Sequence, residues 1–265
     1  MAITSLDQYI AAANQRVSII KTSTITTVAN MPFEVIHIAG NPGAGTLAGT
    51  STASGVVPTD STAGFPTIQT FAGGATGYLG SVTFGCTVAS RLHLFDCLFK
   101  AGAYAFNANT TLSSQPSYSS RVPGGTDFSN TEIWIEAVTA FTGNQSINIT
   151  YTNQDGTTGR SAGTVATGVA PIVGRMYQVP LQAGDTGVQT IESVVSSVSS
   201  AGTFNVLVLR RLWSGRVMAN NFGDTHDFTK TGMPKVFDNS ALLMIPQPDS
   251  TSSGTIEVIA EIVSG

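Results

Sequence analysis

Hydrophobic and polar positions alternate in short runs along this chain, and the alternation predicts strands. In residues 131–139, Ile133, Ile135 and Ala137 stand against Glu132, Trp134 and Glu136. In 147–152, Ile147, Ile149 and Tyr151 alternate with Asn148, Thr150 and Thr152, and Asn153-Gln-Asp-Gly156 then turns the chain as a hairpin. In the last run, 255–263, Ile256, Val258, Ala260 and Ile262 form one face, while Glu257 and Glu261 mark the other. Further strands are expected in 16–28, 33–39, 176–181, 190–198, 203–212 and 241–245, and the apolar run 78–99 reads as one or two buried strands or a strand and a short helix. Pro32 separates the first two. Within 33–39, Phe33, Val35 and His37 face away from Glu34, Ile36 and Ile38. Gly187, Ser199-Ser-Ala-Gly202 and Phe204 suggest a meander.

One helix is predicted, capped by Thr4 or Ser5 and running to about Gln15, with Asp7 near its positive end and Leu6, Ile10 and Ala13 on one face. A helix this short is marginal without packing, so residues 1–16 read as an arm lying on the chain's own body or on a neighbour. Residues 41–77 carry eight glycines and three prolines. A loop of that length is usually functional or mobile. Its apolar islands, Val56-Val57, Phe65 and 68–71, argue for an excursion pinned at intervals, on another subunit. A second polar loop covers 107–125. No repeat or linker divides the remainder. The expected fold is all-β, a β-sandwich or jelly-roll-like domain over 17–265 with long loops and a short N-terminal helix.

Composition narrows the partners. The chain has 265 residues, of which 11% are charged, against roughly 25% in an average soluble domain. Twelve Lys and Arg against sixteen Asp and Glu give a net charge of -4, so a broad basic face for nucleic acid is not expected. No run approaches the roughly 18 apolar residues that cross a bilayer, and the N-terminus lacks the pattern of a secretory signal. Neither nucleic acid nor membrane is therefore an expected partner. A surface of neutral hydroxyls and amides suits a protein covered by other subunits.

No motif points to catalysis or a cofactor. Asp224, His226 and Asp227 are metal-like in type, but loop groups of this kind more often cap the next turn. His37 and His93 lie in apolar runs and read as structural. Gly40-Asn-Pro-Gly-Ala-Gly45 lacks the Lys-Ser/Thr of a phosphate loop. Glu132 with Glu136, and Glu257 with Glu261, are too far apart on a strand for a glycosidase pair and read as facing solvent or a partner. Arg210, Arg211 and Arg216 around Trp213 are the one basic concentration, and Arg and Trp are favoured interface anchors. Cys86 and Cys97 read as small buried thiols. Three Asn-X-Ser/Thr matches, at Asn109, Asn144 and Asn148, read as chance in a Thr-rich chain.

Several stretches resemble virion structural proteins of tailed bacteriophages: Thr4-Ser-Leu-Asp-Gln-Tyr-Ile-Ala-Ala-Ala13, Ala39-Gly-Asn-Pro-Gly-Ala-Gly-Thr-Leu-Ala-Gly49, Gly73-Gly-Ala-Thr-Gly-Tyr-Leu79, Val138-Thr-Ala-Phe-Thr-Gly-Asn-Gln145 and Val169-Ala-Pro-Ile-Val-Gly174. Within that group the chain most resembles capsid decoration, or cement, proteins. The resemblance implies a capsid-surface protein made in the bacterial host cytoplasm. Its implied partners are the phage major capsid protein and neighbouring copies of itself, as a homo-oligomer on the particle. Leu6, Tyr9, Ile10, Val56, Val57, Phe65, Arg210, Arg211, Trp213 and Arg216 are the expected contacts. Alternatives are a major capsid protein, a tail or adaptor protein, or a jelly-roll carbohydrate-binding module.

Overall fold

Two strands far longer than the usual five or six residues set the architecture: one spans Ser90–Ala105 and the other Thr203–Val217. The computed structural model describes residues 3–142, 144, 146–168, 172–197 and 201–265. In chain order the elements are α1 (Leu6–Ala11), β1 (Ala13–Lys21), β2 (Gly40–Asn41), β3 (Ser51–Val56), β4 (Gly77–Cys86), β5 (Ser90–Ala105), β6 (Asn109–Thr111), β7 (Thr131–Thr139), β8 (Ser146–Asn153) and β9 (Arg160–Ser161). They continue with β10 (Val165–Ala166), β11 (Met176–Val179), β12 (Val188–Ser196), β13 (Thr203–Val217), β14 (Phe222–His226), α2 (Phe228–Thr231), β15 (Lys235–Val236), β16 (Leu242–Pro248) and β17 (Ile256–Ser264).

The strands form three sheets, and every pairing between them is antiparallel. The central sheet has the order β11-β7-β13-β5-β16, with β3 also on β5. One face of the β5–β13 pair serves two cores in succession. Leu92, Leu94, Leu212 and Trp213 pack with Val17, Ile19, Leu79 and Phe84 of the sheet β14-β4-β17-β1-β2. Farther along, Phe99, Ala101, Val206 and Val208 pack with Ile147, Ile149, Tyr151 and Val194 of the sheet β10-β8-β12-β6. Register shifts at Phe204/Val206, Val208/Leu209 and Arg211/Trp213 interrupt the ladder. Such bulges bend and twist a strand, which lets one pair follow two sheets. The fold is thus all-β and sandwich-like, with a short N-terminal helix.

The opposite face of the central sheet forms a third core, where Phe95, Cys97, Trp134, Leu207, Leu209 and Ile245 are covered by Ile36 and Phe65. The excursion over 41–77 is therefore pinned on the chain's own sheet. This corrects the expectation that another subunit holds it. Its anchors are Phe65 and Ile68, both buried, and the Asp60 carboxylate, which accepts the Ile68 N–H at 3.0 Å. Gly55 has φ +65°, and a Cβ there would lie 2.1 Å from the Phe99 ring, so only glycine fits this turn.

Two further expectations change. Residues 33–39 form no long strand. Val35 and Ile38 enter the first core and Ile36 the third, so the alternation records burial on both sides. The helix ends at Ala11, and Ala13 already pairs with Ser264. A ladder partner outweighs the weak propensity of a short helix. Val198, Ser199 and Ser200 of the expected meander, Gly143 and Gln145, and Val169, Ala170 and Pro171 lie outside the described residues.

Candidate functional site

The ten expected contact residues fall into three groups. Leu6 and Ile10 are 59% and 73% exposed, while Tyr9 is half-buried, its ring centroid 5.1 Å from that of Phe228. These three share a corner with α2, where a cleft of about 280 Å³ is lined by Ile3, Leu6, Tyr9, Phe228 and Met233. Val56 and Val57 are half-buried, Val57 against the second core. Arg211 is half-buried, and Arg216 is exposed with its guanidinium 3.2 Å from Asp249.

Phe65, Arg210 and Trp213 are buried, so the structure does not offer them as contacts. Phe65 fills the third core. Trp213 packs on Phe84 at 4.7 Å and donates its indole N–H to His226 Nδ1 at 3.0 Å. The expected basic ridge is divided between the two faces of β13. Arg210 points inward to Asp96, whereas Arg211 lies over the Phe95 ring, its guanidinium carbon 4.6 Å from the centroid, and binds Glu132 at 2.9 Å.

Exposed apolar residues absent from the sequence reading flank the same region. Strand β14 ends its sheet. Phe222 at its start is 47% exposed, Met218 just before it 69%, and Phe228 just after it 36%. Gly223 pairs with Gly85, and Gly85 with Glu257. With no side chains at the two glycines, the outer face holds a groove of about 600 Å³ reaching from Phe222 to Ile20. The only sequence signal for this surface was a Phe and a Met in an otherwise polar stretch, which gives no periodicity.

Asp224, His226 and Asp227 do not form a metal centre, and no metal-like group of three or more His, Cys, Asp or Glu occurs among the described residues. Asp224 and His226 lie on β14, and Asp227 is the N-cap of α2, accepting the Thr229 and Lys230 N–H groups. Desolvation and the neighbouring Arg211 depress the His93 imidazole to about 4.

Among the described residues, two buried polar clusters stand on the central sheet. In the first, the Asp96 carboxylate binds Arg121, Arg210 (3.2 Å), the Ser240 hydroxyl (2.8 Å) and the Ala241 N–H (3.1 Å). In the second, the Glu136 Oε2 atom receives both the Lys100 ammonium, at 3.1 Å, and the Asn205 side-chain amide. Glu136 and Asn205 are fully buried, and Lys100 nearly so. Glu136 thus does not face solvent or a partner, as its strand position predicts, but lies buried beside Asn205, which the loop carrying Leu47 and Gly49 holds. Asn205 joins the two, accepting the Gly49 N–H at 2.8 Å and donating to the Leu47 carbonyl at 2.8 Å. Nearby Glu34 bonds His37 at 3.0 Å. Burial first, then repulsion from Glu136, raises the Glu34 carboxyl to about 7, against the opposing pull of His37. The hydrogen bond to Glu34 raises the His37 imidazole.

No known family profile matches the chain, and no curated protein matches it. Solved structures give a distant likeness. The structure of the infectious bursal disease virus Gx strain is 10% identical, with a TM-score of 0.22, over 96% of this chain and 81% of that one. The infectious bursal disease virus VP2 subviral particle is 11% identical, with a TM-score of 0.20, over 96% and 80%. At such scores the reading of function rests on the chain's own features.

Proposed function

We propose that this chain is a structural subunit of a virus particle, joined to the coat and to its own copies by protein contacts, and that its finer role is capsid decoration. The observation that carries this is α1. No residue of the helix is fully buried: Tyr9 alone leans on Phe228, while Leu6 and Ile10 face solvent. So short a helix gains little from its own hydrogen bonds, and an exposed apolar corner marks an interaction surface. A neighbouring coat subunit covering the corner from Leu6 to Phe228 supplies the missing packing. The low charge of the chain suits contacts that tolerate salt. The sequence resemblance to phage cement proteins points the same way.

Titration of the purified chain onto assembled, undecorated phage heads tests the proposal. Saturable, stoichiometric attachment that survives high salt is expected. A free monomer with no affinity for the shell overturns it.

A further inference from the structure

The second buried cluster places an amine, a carboxamide and a carboxylate on three adjacent strands of the central sheet. Lys100 lies on β5, Asn205 on β13 and Glu136 on β7. Asn205 is directly opposite Glu136 in the β13–β7 ladder. Lys100 is opposite Leu207, two residues along β13 on the same face. The amine and the amide nitrogen both rest on one oxygen, Glu136 Oε2. Such a cluster is an expensive way to fill a sandwich. An ion pair buried this deeply is weak evidence for stability, and the other Glu136 oxygen has no hydrogen-bond partner.

We infer that Lys100 and Asn205 join covalently, the folded chain forming an intramolecular isopeptide bond between Lys100 Nζ and Asn205 Cγ with Glu136 as the general acid and base. Burial works against the Lys100 charge, but the Glu136 and Glu34 carboxylates outweigh it and hold the amine protonated at rest. The reaction begins when the Lys100 ammonium passes a proton to Glu136 Oε2, leaving a neutral amine and a neutral acid in a site shut off from solvent. The Nζ lone pair attacks Asn205 Cγ, and the C=O electron pair moves to Oδ1. The Gly49 N–H, already 2.8 Å from Oδ1, receives the developing charge. Glu136 gives its proton to Nδ2 and takes one from Nζ. The Cγ–Nδ2 bond then breaks, the C=O re-forms, and ammonia leaves; it takes up the last proton as ammonium. Atoms and electrons balance without an oxidant, a reductant or an added group.

The surroundings fit this chemistry. The fold itself brings the reacting groups together, which supplies the entropic part of the barrier. The Leu47 carbonyl orients the departing nitrogen at 2.8 Å. Gly102 lies against Asn205, where a Cβ would come within 2.1 Å of Oδ1, so a glycine leaves the carboxamide its place. A small cavity of about 200 Å³, with Lys100 in its wall and Thr46, Gly49 and Thr62 around it, lies beside the amine. The bond would clamp β5 to β13 beside the loop that carries Leu47 and Gly49. This inference is independent of the proposed place in a virus particle.

Intact mass spectrometry of the purified full-length chain, with peptide mapping after denaturation and proteolysis, tests it. The expected mass is lower than that of the sequence by one ammonia, and mapping should find one branched peptide joining Lys100 to Asn205. The substitutions Lys100→Arg, Asn205→Ala and Glu136→Gln should each restore the unbridged mass, with Lys100→Arg checked for cooperative melting to show that it folds. An unmodified wild-type chain with linear peptides at both positions overturns the inference, whatever the variants do. So does an ammonia loss mapped to any other asparagine.

Discussion

Asp96 and Arg210 face one another across the β5–β13 ladder at the point where the first core gives way to the second. Arg121 reaches the same carboxylate and also donates to the Cys97 carbonyl at 2.8 Å. One acid therefore compensates two buried cations. Removing one partner of a buried ionic group costs about 3–5 kcal/mol. Asp96→Ala is expected to lose stability on that scale, read as a lower urea midpoint with an unchanged slope.

Glu34 and His37 give stability a pH dependence whose sign follows from their shifts. The folded Glu34 carboxyl is raised to about 7 by burial, so the folded state holds a proton that the unfolded chain has lost. This contribution is full below the ordinary carboxylate value and fades as pH rises toward about 7. His37, raised by its bond to Glu34, is favoured below the ordinary imidazole value, and its contribution fades as pH rises through its raised value. Both act in one direction. Denaturation should show stability falling as pH rises from the ordinary carboxylate range through about 7, and Glu34→Gln should flatten that slope.

The two cysteines are free and buried in separate cores. Burial pushes the Cys97 thiol up to about 12 and also raises Cys86. The thiolate is the reactive form, so a thiol reagent at neutral pH should label neither residue in the native chain and both after unfolding. Rapid labelling of the native chain would contradict this packing.

At the exposed corner, the double substitution Leu6→Asp and Ile10→Asp touches no buried contact of the chain's own body. Its effect on chain stability should stay within about 0.5 kcal/mol. Attachment to assembled heads should be lost. Equal binding by the variant and the wild type would remove α1 from the interface.

Strands whose two faces differ in polarity were legible in the sequence, whether the polar side is wet, as at Glu257 of β17, or buried, as at Glu136 of β7. Around 131–139, 147–152 and 255–263 the alternation lands on β7, β8 and β17. Residues 33–38 misled because both of their sides are buried, against two different cores. The ridge at Arg210 and Arg211 misled because adjacent strand residues point to opposite faces: one arginine goes inward to Asp96 and the other outward to Glu132. Glu136 read as a surface acid because its partners, Lys100 and Asn205, are 36 and 69 residues away along the chain; pairing at that separation leaves no local pattern. The exposed corner was half visible, in the arm but not in Phe228.

The most direct test of the account is the copy number of this chain in purified particles, measured by quantitative mass spectrometry against the major capsid protein. A structural coat subunit predicts many copies, in a fixed whole-number ratio to the shell protein, retained through high-salt washing. A chain absent from the particles, or present at trace levels that wash away, would contradict it.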